Sequence, residues 1–537
     1  MMGCKERTFA PVGPVSLEDL VPADHFYRHL ERTLDLSFVR ALVTPYYMAG
    51  GRPSVDPVVF FKLQLVMFFE DIRRERLLMR LVADRLSVRW YIGYDLGEAL
   101  PDHSSLTKIR NRYGVDTFRA FFETILAHCQ HAGLVWGQEL YADATKVRAN
   151  ASYRSYRPRF YVEAHLHDLF GDAGREADGP ADRLETNSSS PSIPAPPIPL
   201  RHSMTPDASN DDLAPLNTGR HDWLTAHGRP TRALPISSQR CTADDSVSTT
   251  DADATFMHHK DGGPHLGYQA HYLVDGGKAR VILNALVTPA ETMGNEPFLD
   301  LLWRTLFRWR LHPHHVTGDK TYGTADIIAA LERAGIRAYV PLPKPHSREG
   351  LYYQDAFHYD PMRDVYVCPS GQLLHRRQIQ YTQRIIRYQA VAAVCNACPC
   401  KAYCTTSDQG RQIQRSFEED FIDRVRTYHQ TEAYKKAMRK RGVWVEPLFA
   451  EAKDWHGLRR FRLRGLERVN VETLLTATGQ NLKRLLSRRG WGRRPYPGGA
   501  RGLAMGPHPH ASTVFYMCIF LFWCLLRRPE GLCYQWH

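Results

Sequence analysis

The hydrophobic and polar positions divide the chain into a helical part and a mixed part. Residues 15–133 carry short apolar runs at helical spacing with polar breaks between them, and Asp56 with Pro57 forms a helix cap and first turn before VVFFKLQLVMFF. From residue 139 onward, ELYADATKVR, GYQAHYLVD and ARVILNALVTP alternate as strands do, whereas FLDLLWRTLFRWR and TADIIAALERAG return to helical spacing. Strands that alternate with helices predict an α/β fold with crossover connections, preceded by an all-α region.

Breaks in this pattern and shifts in composition predict the division of the chain. Residues 161–220 hold eight prolines and 10 Asp/Glu against 4 Lys/Arg, which is typical of an acidic disordered insertion. The predicted parts are a helical N-terminal domain (1–135), the first parts of the α/β core (136–160 and 246–347), the acidic Pro/Ser-rich insertion (161–245), a cysteine-containing insertion (348–415), the last helices of the core (416–490) and an atypical C-terminal tail (491–537).

No segment predicts a membrane protein. The N-terminal MMGCKERTFAPVG lacks the apolar stretch of a signal peptide. The apolar run VFYMCIFLFWCLL at 514–526 has thirteen residues, fewer than the about 20 that a membrane helix needs. We interpret this run as a packed segment or a tail of little use, and we expect a cytoplasmic protein without a membrane partner.

The positive charge is concentrated in one region. The formal net charge of the chain is +13, and residues 435–494 alone hold 17 Lys/Arg against 5 Asp/Glu. Such density attracts a polyanion, most simply a nucleic acid, because each neutralised phosphate releases counterions. The alternative is a solvated basic surface without a partner.

The helical region offers a second candidate nucleic-acid contact. Lys108, Arg110 and Arg112 follow one another at alternate positions in DHSSLTKIRNR, a helix that could serve as the recognition helix of a helix-turn-helix. A plain helical bundle would have the same pattern, so the sequence leaves both interpretations open.

The cysteines of the second insertion have the spacing of a metal site. In CNACPCKAYC, two residues separate Cys395 from Cys398, and Cys404 follows them. Together with Cys368 they give four thiols with zinc-ribbon-like spacing, because two ligands on one turn can occupy adjacent corners of a tetrahedron. The alternative is a set of reduced cysteines in a small loop-rich module.

Three acidic residues occupy positions where an α/β fold collects functional groups. Asp143 lies in the first predicted strand, Asp319 follows a later strand in HVTGDKTY, and Glu446 begins the last basic helix. Any one of them alone would be an ordinary capping or pairing residue.

The helix that begins at Glu446 places this acid among basic residues. Pro447 suits its first turn, so the carboxylate lies near the positive end of the helix dipole. Helical spacing predicts an apolar face of Leu448, Ala452 and Trp455, and an opposite face that carries Glu446, Lys453 and Arg460.

These motifs together resemble the DDE transposases of bacterial insertion sequences. The resemblance rests on ADATKVRANAS, TGDKTYGT, the Glu446-x6-Lys453 spacing in VEPLFAEAKDWHGLRRFRLRG, and GRPSVDPVVFFKLQLVMFF in the helical region. The family often places Tyr and Arg seven and four residues before the glutamate, where this chain has Arg439 and Gly442. Tyr434, Arg439 and Arg441 are the candidates to serve from shifted positions.

The resemblance implies an RNase H-like mixed sheet flanked by helices, with Asp143, Asp319 and Glu446 as catalytic residues that hold two Mg2+ ions, which Mn2+ can replace. Asp143 would bridge both ions, while Asp319 and Glu446 would each hold one. The implied partner is double-stranded DNA, as transposon ends and as target, bound by a homodimer. The implied DNA contacts near the site are Lys453, Arg459, Arg460, Arg462 and Arg464.

Three other functions are compatible with the same sequence. An RNase H-like nuclease that only cleaves would need the same three acids. A catalytically silent DNA-binding protein derived from a transposase would keep the basic region. A zinc-ribbon regulator would leave the three acids unexplained.

Overall fold

The structure is a computed structural model, and it describes residues 2–5, 15–48, 50–51, 53–158, 246–258, 264–342 and 350–492. The predicted acidic insertion (161–245) and the apolar run at 514–526 lie outside the described residues. The described residues up to Trp491 form one compact unit.

The described α-helices are α1 (Leu17–Leu20), α2 (Phe26–Thr33), α3 (Phe38–Val43), α4 (Pro57–Phe69), α5 (Glu75–Asp84), α6 (Leu86–Ile92), α7 (His103–His131), α8 (Phe298–Trp309), α9 (Ala325–Arg333), α10 (Ala392–Asn396), α11 (Lys401–Cys404), α12 (Glu419–Tyr428), α13 (Glu432–Trp444), α14 (Glu446–Trp455) and α15 (Leu466–Arg488).

The described strands are β1 (Glu139–Arg148), β2 (Tyr156–Pro158), β3 (Ser246–Ser248), β4 (Thr255–His258), β5 (Pro264–Asp275), β6 (Ile282–Pro289), β7 (His315–Thr317), β8 (Arg337–Tyr339), β9 (His358–Asp360), β10 (Val365–Val367), β11 (Leu373–Gln380), β12 (Ile385–Ala390) and β13 (Gln412–Ser416).

Helix α4 is the centre of the N-terminal helical region. Eleven of its thirteen residues are buried, because the segment is apolar on every face. Asp56 caps the helix as the sequence predicts, since its carboxylate accepts the backbone N–H of Val58 at 2.9 Å. The buried Lys62 is neutralised by Glu31 at 2.8 Å.

Helix α15 joins the helical region to the sheet. It packs along α7, α4 and β6, and one hydrophobic core extends through the helices and the sheet. The side chain of Asn481 bonds both the N–H and the C=O of Ile282 at 2.8 Å, and Asn470 does the same for Val287. These amides satisfy the backbone groups of β6 that no neighbouring strand meets there, so the edge of the sheet is closed.

The first sheet mixes antiparallel and parallel strands. Its order is β4-β5-β1-β7-β8, and β6 also pairs with β5. The pairs that involve β5 are antiparallel, whereas β1–β7 and β7–β8 are parallel. Helix α9 connects β7 to β8, and α8 precedes β7. The predicted mixture of helix and sheet after a helical N-terminal region is therefore confirmed.

A second sheet lies within the predicted cysteine-containing insertion and its C-terminal border. It is antiparallel in the order β13-β12-β11-β10-β9, and its own small core includes Phe357, Tyr388 and Cys404. Among the helices that the structure describes, none has both the length and the apolar character of a membrane span.

Candidate active site

The parallel pairing of β1 and β7 brings two of the predicted acids to equivalent positions on neighbouring strands. Tyr141 is paired with Thr317, and Asp143 and Asp319 each follow two residues later. Asp143 is still within β1, opposite Tyr272 of β5, whereas Asp319 has left β7 and caps the next turn by accepting the N–H of Thr321 at 2.8 Å. Both carboxylates therefore lie at the carboxyl end of this strand pair.

The third acid reaches the same place because helix α13 is fixed to the sheet. Lys440 donates to a carboxylate oxygen of Glu139 and to the carbonyl of Gly276, both at 2.6 Å, and its ammonium lies 4.7 Å from the ring centre of Trp444. The Trp444 indole N–H donates to the carbonyl of Gly277 at 3.0 Å. This anchor sets where α13 ends and α14 begins with Glu446.

Arg441 lies between two of the acids. Its Nη1 is 3.4 Å from Oδ1 of Asp143, and its Nη2 is 3.6 Å from Oε1 of Glu446. The Asp143 and Arg441 side chains are mostly buried, whereas that of Glu446 is 60% exposed. The family often has an arginine four residues before the glutamate, where this chain has Gly442. In this chain the neighbouring Arg441 brings a guanidinium to the acids instead. Tyr434 packs against Tyr339 and His429 instead.

The electrostatics of Asp143 reflect this crowding. Burial raises the pKa of Asp143 to about 6, the Arg441 guanidinium opposes the rise, and the negative charges of Asp319 and Glu446 add to it. Since both other acids act on Asp143, the three carboxylates lie within electrostatic reach of one another.

A groove of about 320 Å³ opens beside these acids. Asp143, Glu446, Lys453 and Arg459 line it, together with Thr145 and Asp454. The ammonium of Lys453 donates to the hydroxyl of Thr145 at 2.5 Å. Burial lowers the pKa of Lys453, the Arg459 charge lowers it further, and Asp143 opposes the shift. The groove therefore has acids on one wall and cations beside them.

The residue types fit a hard divalent cation, because Mg2+ and Mn2+ prefer carboxylate oxygens. In the part of the chain that the structure describes, however, no group of three or more His, Cys, Asp or Glu side chains is arranged to hold a metal ion. The carboxylates of Asp143 and Glu446 are instead arranged about the Arg441 guanidinium.

The basic residues after α14 have different environments. Arg459, Arg460 and Arg464 are exposed, and the last two also bond Ala149 or Asn150 at the end of β1. Arg462, predicted to bind DNA, is mostly buried and lies 3.5 Å from Glu75 of the helical region.

Arg110 likewise differs from its prediction. Its side chain is 4% exposed and pairs with Glu75, which also receives Arg462, so Arg110 stabilises the joint between the helical region and the segment after α14. Lys108 and Arg112 on the same helix are exposed and accessible to a ligand. This placement does not support the predicted DNA contact by Arg110, because a buried ion pair removes its charge from the surface.

Two predictions about α14 also need correction. Leu448 and Ala452 are buried as predicted, but the Trp455 side chain is 67% exposed. The helix ends at Trp455, so Arg460 does not continue the face of Glu446 and Lys453. Gly457, at φ 70°, turns the chain at this point.

The predicted zinc ligands lie together in the second sheet module. Cys368, Cys395, Cys398 and Cys404 line one cavity with Cys400. Burial raises the pKa of the Cys404 thiol, and the charge of Arg411 opposes this rise. Cys395, Cys368 and Cys398 raise the pKa further. All five are free thiols.

Models of two protein families each match a part of this chain. A transposase domain of the DUF772 type matches residues 15–112, and a transposase DDE domain matches residues 367–486. Both matches support a DDE transposase of the insertion-sequence type. No curated protein and no solved structure matches the chain significantly.

The two matches bear unequally on the candidate site. The DDE match includes Glu446, Lys453 and the cysteines, whereas Asp143 and Asp319 lie outside both matches. Transposases act on DNA, and DDE transposases generally use divalent metal ions. The sequence offered Arg441, with Tyr434 and Arg439, as a candidate to serve from a shifted position, and the structure shows that Arg441 is the one that contacts Asp143 and Glu446.

Proposed function

We propose that this transposase cleaves DNA at the ends of its element and joins those ends to target DNA, with Asp143, Asp319 and Glu446 as the metal-holding acids. The observation that carries the proposal is their convergence from two neighbouring strands and a helix start. Asp143 and Glu446 line a groove with Lys453 and Arg459, and Asp319 follows the strand paired with that of Asp143.

The strand order supports an RNase H-like core for this activity. Strands β6, β5 and β1 pair in antiparallel fashion, and β7 and β8 then continue the sheet parallel to β1. Asp143 and Asp319 lie at the carboxyl end of the β1–β7 pair. Helices on the crossovers leave that end of the sheet open to a ligand as long as DNA.

Bound Mg2+ or Mn2+ would polarise the scissile phosphate and lower the pKa of an attacking water or 3′-hydroxyl. Asp143 provides the most buried carboxylate, which fits a central ligand, while Asp319 and Glu446 flank it. Arg441 holds Asp143 and Glu446 together by charge.

The basic side chains would orient the DNA. Lys453 is held by Thr145 within the groove, so its ammonium is positioned for a phosphate next to the scissile bond. Arg459, Arg460 and Arg464 extend this positive surface away from the acids, and Lys108 and Arg112 offer a second contact on α7. Two ends must be joined together, which favours a homodimer.

The test is Mg2+-dependent cleavage of a supercoiled plasmid that carries the DNA flanking this gene, followed by joining of precut ends. Wild-type protein should nick at the element ends and join them, and Glu446→Gln should do neither while still binding. Asp454→Asn is the matched control, because Asp454 lines the same groove without belonging to the three acids. Cleavage without joining would indicate a nuclease, and tight binding without cleavage by the wild type would indicate a silent DNA-binding protein; either result rejects the proposal.

A further inference from the structure

The second sheet encloses a cavity whose chemistry the transposition reaction does not use. This cavity of about 220 Å³ lies between the β10–β11 turn, β11, the end of β12 and the short helices α10 and α11. Its wall includes five cysteines, the apolar side chains of Leu373, Leu374 and Val394, and two cations, Lys401 and Arg411.

The thiols come from the β10–β11 turn and from the α10–α11 segment, which meet at the cavity. Cys368 opens a tight turn in which Gly371, at φ 75°, donates its N–H to the Cys368 carbonyl at 2.8 Å. Cys395 and Cys398 lie at the end of α10, and Ser370 of the first turn places its hydroxyl 3.4 Å from the Cys398 sulfur. The turn and the segment are therefore adjacent through this contact.

Backbone groups already point at two of the sulfurs. The N–H of Gln372 donates to Sγ of Cys368 at 3.3 Å, and the N–H of Arg411 donates to Sγ of Cys395 at 3.3 Å. Hydrogen bonds of this kind favour a thiolate over a thiol and orient a ligand from its outer side.

Arg411 ties the remaining parts of the wall together. Its guanidinium donates to the carbonyl of Cys404 at 2.8 Å and to that of Tyr352 at 3.0 Å. Four thiolates around a divalent ion carry two surplus negative charges, and Arg411 with Lys401 lies at the same cavity. The ammonium of Lys401 also forms an ion pair with Asp408, with 3.2 Å between Nζ and Oδ1.

We propose that Cys368, Cys395, Cys398 and Cys404 hold a structural zinc ion that fixes this module, and that Cys400 is not a ligand. Cys400 is placed as an outer partner of the site, because its thiol is hydrogen-bonded to the Tyr352 side chain and its backbone N–H donates to the sulfur of Cys398. No described group of cysteine, histidine or acidic side chains is already arranged for a metal. The thiols therefore have to rotate about χ1 to reach the about 2.3 Å Zn–S bonds of a tetrahedral site.

The chain contains a matched pair of variants for the test. Cys404→Ser removes a proposed ligand, whereas Cys400→Ser removes a thiol from the same cavity wall that is not one. Full-length protein is purified in reducing buffer without added metal, and its zinc content is measured by mass spectrometry. We expect one zinc per chain in wild type and in Cys400→Ser, and a several-fold lower content in Cys404→Ser.

A second measurement covers the case in which Cys404→Ser does not fold. Cobalt replaces zinc in wild-type protein, and four thiolate ligands are expected to give intense sulfur-to-cobalt absorption together with tetrahedral visible bands. A chelator should then expose four additional reactive thiols. Wild type without bound metal, or equal loss of zinc from Cys400→Ser and Cys404→Ser, would overturn the assignment.

The zinc proposal is independent of the proposed function. Its readouts are metal content, absorption and thiol reactivity, none of which requires DNA cleavage.

Discussion

The groove and the cysteine cavity both gather side chains that can bind metal, but they are built differently. Hard oxygen donors from β1, from the turn after β7 and from the start of α14 come together at or beside the groove, and Arg441 lies between the carboxylates of Asp143 and Glu446. The cavity collects soft sulfur donors from the β10–β11 turn and the α10–α11 segment, and backbone N–H groups orient them. One site depends on the packing of distant segments, and the other on local turns.

This difference determines what each site can do. Acids assembled from distant segments lie beside an open groove with exposed cations, as a reaction on a long ligand requires. Thiols on local turns surround a cavity in a small core, which suits an ion that holds the module together. We therefore expect changes to the packing of the first sheet to affect the groove and to leave the cysteine module unchanged.

The largest effect is expected from Asp143→Asn. Loss of this buried carboxylate should reduce cleavage by more than the about 100-fold that loss of an outer-shell partner can cost, because a ligand itself is removed. End-binding measured by fluorescence anisotropy should stay within a few-fold of wild type, since no phosphate contact is lost. Asp454→Asn should keep near-normal cleavage, and equal losses in the two variants would place the chemistry elsewhere.

Arg110→Met tests the joint on which the groove depends. Removing Arg110 from the buried pair with Glu75 should destabilise the protein by up to about 3–5 kcal/mol in urea unfolding, because the buried carboxylate keeps only the more distant Arg462 as a charged partner. Lys108→Met, an exposed change two residues away, should alter stability by less than about 0.5 kcal/mol.

Hydrogen exchange then separates the two regions in Arg110→Met. Faster exchange is expected at the backbone amides after α14, with unchanged exchange in β10–β12. Equal acceleration in both regions would mean that the cysteine module depends on the same packing as the groove.

Arg441→Gln should change how the groove responds to pH. The guanidinium holds the pKa of Asp143 below the value that burial alone would give, so its loss raises that pKa above about 6. A carboxylate with a raised pKa loses its charge as pH falls through that value. The acidic limb of the Mg2+-dependent cleavage profile should therefore move to higher pH, and an unchanged limb would mean that Arg441 does not set the charge of Asp143.

Lys453→Met should have the smallest effect, confined to DNA binding. One lost phosphate contact is expected to weaken end-binding a few-fold and to reduce the slope of log K against log salt by about one. Lys435→Met, an exposed lysine at the start of α13, is the control for loss of charge alone. Equal slopes for wild type and Lys453→Met would assign Lys453 to packing against Thr145 instead.

Much of the architecture follows from local pattern. The cap at Asp56, the apolar helix α4 and the mixture of strands and helices after residue 139 were predictable, because each depends on residues close together in sequence. Cys395, Cys398 and Cys404 were also predictable as a group, since their spacing keeps them near one another, whereas the folding of β11 and β12 brings Cys368 to them. The partners of the basic residues were not, because helical periodicity does not indicate which distant segment covers a face.

By itself, the sequence determined the element types, the basic region, and the three acids as candidates by their motifs. Only the tertiary structure decided that Arg441 lies between Asp143 and Glu446, and that Arg110 and Arg462 meet Glu75 in the interior. The physical reason is that the role of a charged side chain depends on the groups that surround it in the folded protein. The same arginine contacts DNA when water surrounds it and supports the fold when a carboxylate from a distant helix reaches it first.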